Sequence, residues 1–172
     1  MKKSIILTVL LVAVIGSGAW YFSGAIYIGA DKPHSAITTW VLHGAMERSV
    51  KYHCKSLKPP QTNDSLVKFG FSHFHAMCVM CHGAPGFEPS EVGKGLTPPP
   101  PDLQKALVKW NSTEKYWIVD HGVKMTGMPS FGVTHSREEL NAIVSFLLKL
   151  PNMSKAEYAR FVNSYPVENE MR

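Results

Sequence analysis

At residues 78–82 the chain reads CVMCH, which is the C-x-x-C-H attachment motif of a c-type haem. Two thiols three residues apart lie on one turn of a helix, so Cys78 and Cys81 can each add to a vinyl group of the porphyrin. His82 is then placed to bind the iron as the proximal ligand. Structural zinc needs four ligands, usually with a second Cys/His pair, and the only other cysteine is Cys54. The motif therefore predicts one covalently bound haem c.

A loop downstream of this motif offers a second axial ligand. Residues 124–132 read KMTGMPSFG, and the breakers Gly and Pro indicate a loop that can bring a thioether to the other face of a haem. Met128, between a glycine and a proline, is the favoured ligand, and Met125 is its competitor. Both methionines could instead only fill core space. His121 or His135 would be the ligand in a bis-histidine site.

In this arrangement the chain resembles the class I cytochromes c over residues 64–152. Gly70 and Phe74 stand eight and four residues before the first haem cysteine, as in the haem helix of that family. The stretch PDL at residues 101–103 resembles the family's P-N-L segment, and the GMP loop resembles its methionine loop. Residues 143–148 are similar to the final helix of the family, which crosses the first helix near its glycine.

The resemblance implies the chemistry of the site as well as an all-α fold. In the family, the carbonyl of the proline corresponding to Pro101 accepts a hydrogen bond from the proximal histidine, which fixes the imidazole. Leu103, Trp117 and Phe131 are expected to form walls of the haem pocket. Because His/Met ligation fills both axial positions of the iron, we expect one-electron transfer and no enzymatic activity by the chain alone.

Helical patterns agree with a haem domain of three to four helices. One helix is predicted over residues 65–75, and a second over residues 114–121 with Thr113 as its N-cap. A third is predicted to begin after Ser136. Its apolar positions follow the i, i+3, i+4, i+7 rule and are Leu140, Ile143, Val144, Leu147 and Leu148. No segment alternates with period two, so no strand is predicted.

The N-terminal segment, residues 1–30, is predicted to be a membrane anchor. Its residues 4–30 form an uncharged run of 27, and about 20 apolar residues span a bilayer. A cleaved signal peptide is the alternative, because residues 17–19 and 23–25 both have the small-x-small pattern. Aromatic side chains at the outer edge of the run favour the uncleaved anchor. With Lys2 and Lys3 inside, this predicts a single-pass protein of the bacterial inner membrane whose haem domain faces the periplasm.

Residues 31–63 are predicted to form an amphipathic helix over about 35–57 and a Pro-containing linker. The apolar face carries Leu42, Met46, Val50, Cys54 and Leu57, and the basic face carries Arg48, Lys51, Lys55 and Lys58. Three interpretations stay open: a helix packed on the haem domain, a helix on an anionic membrane surface, or a dock for an integral-membrane partner. Cys54 is expected to be a small buried hydrophobe, with an intermolecular disulfide as the alternative.

The basic pI of about 9.1 comes from one end of the chain. Residues 1–60 carry a net charge of +5 and residues 61–172 a net charge of zero. This distribution does not argue for nucleic-acid binding, and no groove-reading motif is present. Residues 153–172 are predicted to contain a short helix over about 154–161 and a charged tail.

Together these features predict a membrane-tethered monohaem c-type cytochrome that carries single electrons between respiratory redox partners. The partners would meet it at the exposed haem edge. An alternative is an obligate haem subunit of a larger membrane oxidoreductase whose catalytic centre lies on another chain. A haem-based sensor or gas-binding protein is a third hypothesis, and it would need an open or easily lost sixth ligand.

Overall fold

The computed structural model describes residues 2–165, and these residues form helices, turns and loops without a strand. The all-α prediction is therefore confirmed. The chain divides into two compact units, Met1–Ala30 and Asp31–Arg172. The predicted charged tail beyond residue 165 lies outside the described residues.

The first unit consists mainly of helix α1, Lys2–Phe22. Within the described part of the chain it is the one helix that is long and apolar enough to cross a membrane, with 21 residues and a mean hydropathy of 2.2. A signal sequence would have the same properties. The structure therefore agrees with a single-pass anchor without choosing between an anchor and a cleaved segment.

The second unit is built from short and medium helices. They are α2 (Ala36–His53), α3 (Asp64–His73), α4 (Val79–His82), α5 (Glu91–Lys94), α6 (Leu103–Ala106), α7 (Ser112–His121), α8 (Arg137–Lys149) and α9 (Lys155–Ser164). A five-residue π-helical turn, Phe74–Cys78, joins α3 to α4, and 3-10 turns follow α2, α6 and α8. In the predicted haem domain α3, α7 and α8 have ten or more residues, whereas α4, α5 and α6 are single turns.

Side-chain caps set where α7 and α8 begin. Asn111, not Thr113, caps α7: its Oδ1 accepts the Glu114 N–H at 2.9 Å, and the Glu114 carboxylate accepts the Asn111 N–H at 2.8 Å. This reciprocal capping box satisfies two backbone donors, so it wins over the threonine two residues later. The predicted start of α8 is confirmed, because Ser136 and Glu139 form the same kind of box.

The core forms where α3 crosses α8. Gly70 approaches the backbone of Ala142 so closely that a Cβ at position 70 would overlap the Ala142 carbonyl oxygen. On either side of this contact, Phe71 and Phe74 are fully buried. Their ring centroids lie 5.5 and 4.9 Å from that of Phe146 on α8. The crossing therefore fixes the π-helical turn, and with it the CVMCH motif, against the core.

Helix α9 covers the other side of α3. Tyr158 is fully buried, and its hydroxyl lies 2.8 Å from Nδ1 of His75 in the π-helical turn. Its ring centroid is 5.5 Å from that of Phe71. The predicted C-terminal helix is present and runs three residues further than expected, from Lys155 to Ser164.

The second half of α2 packs on the rest of the second unit. Val50 is fully buried, Glu47 forms an ion pair with Lys109, and the ring of His53 stacks on Trp117 with centroids 6.0 Å apart. This half of the helix follows the packing interpretation. Its first half is different, because the large side chains Ile37 and Trp40 are exposed.

Cys54 is the C-cap residue of α2, and its side chain is buried. Its thiol donates a weak hydrogen bond to the carbonyl of Lys51, with Sγ and O 3.7 Å apart. The expectation of a small buried hydrophobe is confirmed. The basic residues Arg48, Lys51, Lys55 and Lys58 are all exposed.

The Gly70 crossing generates a stability prediction. We expect Gly70→Ala to lower the free energy of unfolding by about 1–3 kcal/mol or more, since the added methyl group must push α3 away from α8. Gly95→Ala is the control: its Cβ would lie 3.5 Å from the nearest oxygen, in ordinary contact. Urea titration of both variants measures the difference. Equal stability of the two variants would contradict the close crossing.

Candidate haem site

Four side chains that the sequence singles out line one cavity. Cys78, Cys81, His82 and Met128 all face a space of about 350 Å³ in the second unit. Cofactor pockets usually measure about 300–1,000 Å³. Most of the wall is apolar, and it includes Met77, Leu96, Leu107, Ile118, Val119, Val123, Ile143 and Leu147.

Residues 90–93 stabilise the CVMCH turn through hydrogen bonds and a close backbone contact. The Ser90 N–H and hydroxyl both donate to the carbonyl of Met80, each at 2.9 Å. Gly93 lies so close that a Cβ there would be 2.6 Å from the same oxygen and 2.8 Å from Cα of Cys81. Gly83 ends α4 with a φ of +65°, a conformation that glycine adopts without strain. Two thiols and one imidazole are thereby presented to the cavity from a single turn.

The imidazole of His82 is oriented by a backbone contact. Its Nδ1 lies 2.9 Å from the carbonyl oxygen of Pro101, which can only accept a hydrogen bond, so Nδ1 is the donor. The contact that the family resemblance implies is present. It leaves Nε2 free to bind iron. Burial lowers the pKa of His82, with the Pro101 hydrogen bond opposing it. The ring is therefore neutral at neutral pH, the form that binds a metal.

The two thiols of the motif are available for a covalent bond. Neither Cys78 nor Cys81 forms a disulfide. Burial, reinforced by the neighbouring Cys81, raises the pKa of Cys78 to about 12. A reduced thiol is what a thioether bond requires, because sulfur and hydrogen add across the vinyl double bond.

The methionine loop is closed by its own hydrogen bonds. The Val123 N–H donates to the Met128 carbonyl at 3.2 Å, and the Met128 N–H donates to the hydroxyl oxygen of Thr126 at 3.1 Å. Gly127 packs against Leu96, whose methyl groups would lie 2.8 Å from an added Cβ. This geometry directs the loop toward the cavity at Met128.

The competing ligands lie elsewhere. Met125 is 73% exposed and does not line the cavity. His121 stacks on Trp117 with ring centroids 4.5 Å apart, and His135 contacts the ring of Phe131 at 5.4 Å. Neither histidine lines the cavity. Of the candidate ligands, Met128 is thus the one that lines the cavity together with His82.

Three of the four predicted pocket residues line the cavity, and Trp117 does not. Pro101, Leu103 and Phe131 form part of its wall, whereas Trp117 lies between His53 and His121. The reason is helical phase. The cavity side of α7 carries Lys115, Ile118 and Val119, at i, i+3 and i+4. A residue two positions after Lys115 is rotated by about 200° and faces away.

Sequence reasoning missed several residues of the wall. Trp110 lines the cavity in place of Trp117, and Lys115 lies beside it. Helix α2 contributes His43 and Met46. The spacing of His43, Met46 and Val50 marks one face of a helix. It could not show that this face meets a segment about 60 residues further along the chain.

The helical fold and the cavity lining agree with a c-type cytochrome domain. Residues 66–147 match the model of the family described as cytochrome c oxidase, cbb3-type, subunit III. The match covers 82 of the 172 residues. Searches of curated proteins and of solved structures returned no match. This match supports the predicted resemblance to the class I cytochromes c over residues 66–147, and a domain of that kind implies haem c and electron transfer.

Proposed function

We propose that the chain is a membrane-tethered monohaem c-type cytochrome that carries single electrons between respiratory redox partners. The observation that carries this proposal is the meeting of Cys78, Cys81, His82 and Met128 in one cavity. Reduced thiols, a neutral imidazole with a free Nε2, a thioether and apolar walls fit a covalently bound haem c. The bound haem would supply one-electron exchange between Fe(II) and Fe(III).

In this proposal each residue has a defined task. Cys78 and Cys81 would bind the porphyrin covalently, and His82, oriented by the Pro101 carbonyl, would bind the iron. Met128 would supply the second protein ligand to the iron. A methionine ligand favours the reduced iron and raises its potential. With His82 and Met128 both bound to iron, the haem would transfer electrons and would have no free position for a substrate, so we expect the chain not to be an enzyme by itself.

Helix α1 would tether this domain to the membrane. Its 21 residues and high hydropathy support a single span. Lys2 and Lys3 at its start favour the cytoplasmic side for this end. The haem domain would then face the periplasm of a bacterial inner membrane. Redox proteins would exchange electrons with it at the haem edge.

A second candidate function is that of a haem subunit in a larger membrane oxidase. The family description names a subunit of an oxidase, and this is the observation that favours it. In that case the catalytic centre lies on another chain. The cytochrome c domain has the same electron-transfer role in both candidates, and they differ in whether a partner is permanently bound.

The covalent attachment is tested by extraction. Acid acetone should leave the haem on the denatured chain, because thioether bonds survive unfolding. Cys78→Ala should retain one thioether and mature less well, whereas the control Cys54→Ala should carry a full complement of haem. Haem that is extracted from the wild-type chain would rule out the proposed attachment.

The distal ligand is tested by absorption spectroscopy. Met128→Ala should lose the weak red band that sulfur ligation gives to ferric cytochromes of this type. Its reduction potential should fall, because the ligand that favours Fe(II) is gone. Met125→Ala is the matched control and should keep both properties. A band that persists in the first variant and disappears in the second would reassign the ligand to Met125.

Membrane fractionation tests the anchor and separates the two candidate functions. The native protein should resist salt and carbonate extraction of membranes, because a spanning helix is released only by detergent. N-terminal sequencing of the mature protein that begins at Trp20 or Ile26 would instead show a cleaved signal peptide. After mild detergent extraction, a tethered carrier should purify alone. A stoichiometric partner would establish the oxidase-subunit alternative.

A further inference from the structure

The polar side chains that line the cavity are mostly hydrogen-bond donors. His82 is bonded to Pro101, and the Thr126 hydroxyl donates to Val123. Apart from these two, the polar side chains in the wall are His43, Lys109, Trp110 and Lys115. Each of these can donate a hydrogen bond. Among the described residues, no aspartate or glutamate lines this cavity, so a carboxylate of a bound molecule would meet hydrogen-bond donors and no like charge.

Lys115 is the most buried of these donors that carry a charge. The residue is only 6% exposed, although lysine is almost never buried without a partner. No carboxylate of the described residues lies within ion-pair distance of its ammonium. The neighbouring Glu114 carboxylate is engaged in capping Asn111. Burial lowers the pKa of Lys115, with Glu114 opposing the shift.

Lys109 differs from Lys115 in having a partner. Its ammonium pairs with Glu47 on α2 and lies 5.0 Å from the ring centroid of Trp110. Its charge is therefore already balanced within the protein. Of the lysines in this wall, Lys115 is therefore the one that has no carboxylate partner among residues 2–165.

We propose that Lys115 is a positioning residue that binds a carboxylate of the molecule in this cavity. Under the proposed function, on which this inference rests, that carboxylate is a propionate of the haem. A buried charge is costly unless it is paired. The ammonium and the propionate each remove this cost for the other.

Pairing of this kind also acts on the iron. In a cavity of low dielectric constant, the negative charge of an unpaired propionate would favour Fe(III) over Fe(II), and the ammonium of Lys115 would offset that charge. Lys115 therefore contributes to a high reduction potential as well as to the position of the porphyrin. An exposed lysine has a much weaker effect, since water and salt screen its charge.

The test uses the full-length, haem-loaded protein and three substitutions of Lys115. Lys115→Met and Lys115→Gln both remove the charge and should shift the Fe(III)/Fe(II) equilibrium about tenfold toward Fe(III), about 59 mV for one electron. Lys115→Arg should keep the wild-type potential. The propionate-bending band in the resonance Raman spectrum should shift in the Met and Gln variants and stay near its wild-type position in the Arg variant.

Lys105→Met is the matched control. Lys105 lies on α6, its side chain is 86% exposed, and it pairs with Asp102 outside the cavity wall. Its loss should barely change the potential. The inference is refuted if all charge-removing variants, at position 115 and at position 105, have the same potential and Raman band. Haem content is measured first: a wild-type chain without haem would refute the proposed function itself, whereas loaded variants with equal potentials refute only the role of Lys115.

Discussion

The contact between Gly70 and the backbone of Ala142 is the constraint on which the second unit depends. It lets α3 and α8 approach more closely than any side chain would allow. The rings of Phe71, Phe74 and Phe146 then fill the space beside the contact. The π-helical turn begins at Phe74, so the positions of Cys78 and Cys81 are a consequence of this one backbone approach. Tyr158 adds a second support through His75.

The site is assembled from separate segments that backbone carbonyls hold together. The carbonyl of Pro101 orients His82, and the carbonyl of Met80 accepts two hydrogen bonds from Ser90. The carbonyl of Met128 closes its own loop. Carbonyl positions depend on the course of the chain more than on side-chain identity. This explains how a site with few specific side chains keeps a defined geometry.

Much of the fold and the site could be predicted because their signals are local. The CVMCH motif, the Gly-Met-Pro loop and the Ser136 cap each lie within a few residues. The predictions failed where the position of a side chain depended on its angle around a helix or on contacts with residues far away in the sequence. Two side chains competed to cap α7, and Asn111 prevailed because Glu114 could reciprocate. Trp117 was assigned to the pocket although its helical phase turns it away. The place of α2 in the wall could not be predicted, since it depends on packing between segments far apart in sequence.

Helix α2 contributes side chains to the cavity wall, so the structural unit around the cavity extends further toward the N-terminus than the family match. The family match begins at residue 66, yet His43 and Met46 close part of the cavity wall. A domain cut at the limits of the match would lose these two side chains, and a haem bound in the cavity would be more exposed to water on that side. Water stabilises the more highly charged oxidised iron. Under the proposed function, α2 would therefore limit the access of water to the haem as well as link the domain to α1.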